Sequence, residues 1–203
     1  MLLTFFAALV VSYLGSIPPG MINVTTLQYS IEGRKSAAVS FIIACVLVEF
    51  IYTGIAVKFQ MYLTENANIN GYFQLITAAV LVGLGIVNLF KKKLNNPKPV
   101  VGEKRSAFKR GTLISLGNPL AIPFWLAVTA YLQNQDLVVL TGIGFWVYLA
   151  GVSIGTFGLL ITVVLVSRRF SLLMKNSTMV YRIPGLLFIG MGGWSFLEWL
   201  RLV

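Results

Sequence analysis

The sequence has no histidine and a single cysteine, Cys45, among its 203 residues. An internal disulfide is therefore excluded, and with it Cys/His zinc sites, haem held by histidine, and Ser-His-Asp or Cys-His catalysis. Charge is equally scarce. Only 11% of the residues are charged and 57% are hydrophobic, whereas a soluble domain carries about 25% charged residues. Folded as a soluble globule, this chain would turn broad apolar surfaces toward water. Its natural solvent is lipid. The few charges are mostly basic, 16 Lys and Arg against 6 Asp and Glu. They cluster in gaps between long apolar runs, which is the loop pattern of a membrane protein and not a nucleic-acid patch. No enzyme activity, cofactor, metal site or nucleic-acid partner is expected.

What is present is a series of charge-poor runs. The first charge is Glu32, so the N-terminus lacks the basic start of a secretory signal and reads as a membrane helix. Met1 to Ile31 would reach roughly 46 Å as one helix, beyond a hydrocarbon core of about 30 Å, so it must tilt, break or protrude. Further runs follow at Ala37–Val57, interrupted only by Glu49, and at Gly71–Phe90, Gly111–Gln133, Leu137–Val166 and Ile183–Leu197. Six transmembrane helices are expected, the last being the shortest run. Fourteen of the 16 basic residues fall in the loops after runs one, three and five, leaving only Lys58 and Arg201 on the other side. By the positive-inside rule both termini lie outside the cytoplasm.

The longest connection is the basic segment 91–110, with Pro97 and Pro99. It divides one membrane domain, 1–203, into three-helix halves at 1–90 and 111–203. An odd number of spans makes the second half enter the membrane from the opposite side, the arithmetic of an inverted repeat. The expected fold is an all-α membrane bundle of two inverted three-helix repeats. Leu14-Gly15-Ser16-Ile17-Pro18 in the first half echoes Leu116-Gly117-Asn118-Pro119 in the second. Proline removes a backbone donor and clashes with the preceding turn, so helices 1 and 4 should break at Pro18-Pro19-Gly20 and at Asn118-Pro119. Backbone freed at membrane depth is tolerated where it faces protein or a watery cavity. Half-helix ends there can bind a carboxylate, with Asn23, Thr25, Thr26 and Asn118 adding side-chain hydrogen bonds. The plainer alternative is a pair of packing kinks.

Glu49 lies 14 residues beyond Lys35, which puts it near the bilayer middle. A charge there costs about 2.5 kcal/mol or more, so the side chain should face the bundle interior. It suits a proton carrier or a partner for a substrate ammonium. A structural hydrogen bond is the alternative. Tyr52 and Thr53 share its helix face, and Tyr52 is taken with Glu49 as the coupling pair. Gly151 and Gly155 form a small-xxx-small pair for close helix approach, either within the bundle or in a homo-oligomer. Gly83, Gly85, Gly190, Gly192 and Gly193 can act similarly. Trp125 is read as packed or lipid-facing in preference to cavity-lining.

With these residues together, the chain resembles the LysE/RhtB amino-acid exporter family over nearly its whole length. The family's Pro-Gly-Pro element is matched by Pro19-Gly20 preceded by Pro18, its Gly-Arg turn by Gly33-Arg34, and its second-span acid by Glu49. Its Gly then Asn-Pro is matched by Gly111 and Asn118-Pro119, while Met21 and Leu120 depart from the pattern. The resemblance implies a bacterial inner-membrane exporter of amino acids or related metabolites, driven by protons. Substrate-binding residues would be Pro18, Pro19, Gly20, Asn23, Asn118 and Pro119. Two other readings remain: a small-ion or metal-cation exporter of related fold, and a non-transporting scaffold using its glycine faces and basic loop.

Overall fold

A chain with so few charges can hide them only by folding inside out, polar groups inward and apolar ones toward lipid. The computed structural model describes residues 1–18, 20–65, 70–90, 104–118, 121–167 and 179–202. Among these are eight α-helices and no strand. They are α1 (Leu2–Gly15), α2 (Met21–Ile31), α3 (Lys35–Glu65), α4 (Asn70–Phe90), α5 (Lys104–Leu116), α6 (Ala121–Asn134), α7 (Ile143–Leu165) and α8 (Met179–Leu202). Pro19, Pro119, Arg168, Arg169, Lys175 and positions 91–103 of the basic loop lie outside the described residues.

The inside-out pattern is clearest on α3. Ile43, Leu47, Ile51, Ile55 and Phe59, one turn apart, are exposed, while Cys45, Thr53 and Gln60 on the opposite face are buried. Glu49 stands in the middle of that inner face. Among the described residues two helices are each long and apolar enough to cross a membrane, Lys35–Leu63 within α3 and Ile143–Leu165. Arg105–Leu116 and Ala121–Asn134 qualify together as one span bent by 65°. The apolar stretches Leu2–Gly15, Leu75–Val87 and Gly185–Leu197 are shorter.

Both expected breaks are present. α1 stops at Gly15 and α2 begins at Met21; α5 stops at Leu116 and α6 begins at Ala121. The turn joining α2 to α3 is a Schellman motif: Arg34 N–H donates to Tyr29 O at 2.9 Å and Gly33 N–H to Ser30 O at 3.0 Å. Gly33 sits there at φ +73°, a conformation that costs a residue with a Cβ. The Gly33-Arg34 turn thus has a backbone reason. The end of α6 repeats the motif, with Leu137 N–H to Leu132 O and Asp136 N–H to Gln133 O, both 3.0 Å. Asp136 holds the left-handed position at φ 55°.

Small residues set the helix pairing. A Cβ on Gly151 would stand 2.6 Å from Phe5 O, and one on Gly155 would strike Leu9 O and the Ser12 side chain. The contacts advance together along both chains, so α1 and α7 run parallel. Ser12 Oγ seals this seam, donating to Val152 O at 2.8 Å and lying 2.7 Å from Thr156 Oγ1. α3 and α5 are likewise parallel. Gly111 abuts Phe41 O, and further along Tyr52 Oη donates to Leu116 O at 2.9 Å. α4 and α8 are antiparallel, Gly85 facing Gly185 and Ile189 while Gly192 faces Ala78 and Val82. Gly83, Gly190 and Gly193 have open space around them, so only part of the glycine set serves packing within the chain.

Candidate functional site: a cavity between two broken helices

The two breaks meet. Gly15, Ser16, Pro18, Gly20 and Asn23 from the first, with Gly117, Asn118 and Ala121 from the second, line a cavity of about 360 Å³. That is the lower end of the range for ligand pockets, about 300–1,000 Å³. Glu49 enters from α3, Thr156 and Leu160 from α7, and Phe124 and Trp125 from α6. Leu84 of α4 and Phe188 of α8 close the remaining wall. A second cavity of about 40 Å³ adjoins it, sharing Glu49, Asn118 and Thr156 and adding Cys45, Tyr52 and Ser115.

Among the described residues Glu49 is the one acid lining either cavity, and no Lys or Arg lines them. Its carboxyl is held by hydrogen bonds with the Thr156 hydroxyl and the Trp125 indole. The indole N–H can only donate. Thr156 connects in turn to Ser12, so the carboxyl, α7 and α1 share one hydrogen-bonded chain. Neither partner carries a charge, and Glu49 itself lines the cavity.

The structure places each expected residue as follows. Pro18, Gly20, Asn23, Asn118 and Glu49 line the main cavity together. Asn23 also mends the break: its amide donates to Ser16 O at 2.7 Å and to Pro18 O at 3.0 Å, satisfying carbonyls that α1 leaves behind. Gly20, the N-cap of α2, has no side chain to cap that helix, and Gly20, Met21 and Ile22 at its start line the cavity. Tyr52 lines the smaller cavity and spends its hydroxyl on Leu116 O, steadying the end of α5. Thr25 and Thr26 are buried and are not among the residues lining either cavity.

Trp125 is the correction. It is packed, only 1% exposed, yet it also lines the cavity and bonds the acid. An aromatic in the second turn after a break gives no sign of which way its ring turns. Thr156 and Phe188 carried no signal either, because their place depends on how distant helices pair.

A membrane bundle holding a solute-sized cavity around one intramembrane carboxyl has the makings of a small-solute transporter. A sequence model of the LysE type translocator family matches residues 13–197. The chain belongs to that family; it is a multi-pass membrane transporter and not an enzyme. No curated protein and no solved structure matches it.

Proposed function

We propose that this chain is a secondary transporter exporting amino acids or related small metabolites across the bacterial cytoplasmic membrane, with Glu49 coupling export to protons. The observation that carries the reading is the cavity itself: a membrane-depth carboxyl beside an uncapped half-helix N-terminus, in a space the size of a small solute. Such a site suits both ends of an amino acid. Glu49 would receive the ammonium or a proton, and the first N–H groups of α2 would receive the carboxylate. Because one carboxyl can serve proton or ammonium but not both at once, occupancy by one would exclude the other. That exclusion is what exchange requires.

The helix pairing supports two inverted repeats. Exchanging α1–α2 with α5–α6, α3 with α7, and α4 with α8 maps the α1–α7 pair onto α5–α3 and the antiparallel α4–α8 pair onto itself. Six spans with both termini outside satisfy these directions: α3 and α5–α6 leave the cytoplasm, while α1–α2 and α7 approach it. One asymmetry bears on mechanism. The α4–α8 pair packs on α6, with Phe188 edge-on to Phe124 at 5.4 Å, whereas Met21 at the start of α2 lines the same cavity and is exposed. Alternating access would move this pair from α6 toward α2.

The test is flux from proteoliposomes under an imposed pH gradient. Wild type should move amino acid in response to the gradient, Glu49→Gln should lose about tenfold or more, and Glu49→Asp should keep part of the rate. Gradient-driven flux undiminished in Glu49→Gln would remove Glu49 from the mechanism.

A further inference from the structure

The cavity lining is of two kinds. Glu49, Thr156 and Asn118 also line the smaller cavity beside it, whereas Leu84, Phe124 and Phe188 line the main cavity alone. Phe124 lies over the first break so closely that a Cβ on Gly15 would come within 2.8 Å of its ring. Phe124 packs edge to face on both neighbours, at 4.9 Å from Trp125 and 5.4 Å from Phe188. The rings therefore close on one another as a wall and do not stand apart as a cage around a cation.

Charge sharpens the point. Among the described residues the lining holds one acid and no base, so a second ammonium on the substrate would have no partner among these rings. A second carboxylate would face Glu49 with nothing to offset it. Both ions would lose water without compensation. We infer that the transported solute is an amino acid with an uncharged apolar side chain, of leucine to phenylalanine size, seated against Leu84, Phe124 and Phe188. This rests on the transporter reading above and names the substrate class of the same site.

Counterflow distinguishes the two claims. Proteoliposomes preloaded with unlabelled amino acid are offered labelled leucine, phenylalanine, alanine, lysine, glutamate and choline, with no gradient imposed. Leucine or phenylalanine should exchange at least about tenfold faster than lysine or glutamate, the discrimination an apolar pocket gives per fitted group. Phe188→Ala should cut the preference for phenylalanine over alanine by about tenfold, and Phe188→Leu, which keeps the wall apolar and filled, should retain most of it. Preferential exchange of lysine, glutamate or choline would overturn the inference and leave the transporter standing. Equal preference in wild type and Phe188→Ala would also overturn it, since Phe188 would then not touch the side chain. If no amino acid exchanges at all, the transporter reading falls and takes this inference with it.

Discussion

At the residue scale the decisive fact is what holds Glu49. Its two hydrogen-bond partners come from different helices, Trp125 on α6 and Thr156 on α7, so the carboxyl reports on how those helices stand relative to α3. Trp125→Phe keeps an aromatic wall and deletes one N–H. A hydrogen bond to a charged group contributes about 1.5–3 kcal/mol, so transport should fall about tenfold or more in the flux assay while the protein stays folded. A drop in thermal stability with flux retained would mean the indole serves packing alone. Thr156→Val removes the hydroxyl shared with Ser12. It should lower both transport and the melting temperature, because that link also ties α1 to α7. Glu49 itself was legible in the sequence, since a lone acid in an apolar run has few structural excuses. Its partners were not, because a tryptophan and a threonine in apolar helices are compatible with any orientation until the helices are paired.

At the element scale the breaks and turns follow from local chemistry. Proline and glycine at 15–20 and 117–119 stop α1 and α5 whatever surrounds them, and so both breaks were legible. The two Schellman turns offer a paired prediction of opposite sign. Gly33→Ala forces a Cβ into a left-handed position at φ +73° and should destabilise by about 1 kcal/mol. Asp136→Gly relieves the same conformation at φ 55° and should stabilise by up to about 1 kcal/mol. In detergent these correspond to melting shifts of about 2–4 °C per kcal/mol, down and up respectively. A fall for Asp136→Gly would show that the aspartate side chain contributes more than its backbone costs. Which glycines pack was not legible. Gly85, Gly151, Gly155 and Gly192 meet neighbouring backbones while Gly83, Gly190 and Gly193 do not, and spacing alone treats them alike.

At the scale of the whole molecule, loop charge and helix direction are independent of each other, since one is electrostatic and the other follows from packing. The proposed orientation uses both. With the α2–α3 turn on the cytoplasmic side, as the positive-inside rule has it, α3 would leave the cytoplasm, and its parallel neighbour α5 would leave it too, carrying the α6–α7 connection to the outside. That arrangement predicts the outcome of single-cysteine labelling in intact cells. Lys35 and Thr141 are both exposed, and they stand at opposite ends of the scaffold. The native Cys45 is buried, so its background reaction with a membrane-impermeant maleimide should be low, and Cys45→Ala removes it altogether. Thr141→Cys should label from outside. Lys35→Cys should label only after the cells are opened. The reverse pattern would invert the protein, and with it the direction in which the cavity delivers its solute. Labelling of both from one side would break the parallel pairing of α3 with α5, and the inverted repeat could not survive that result.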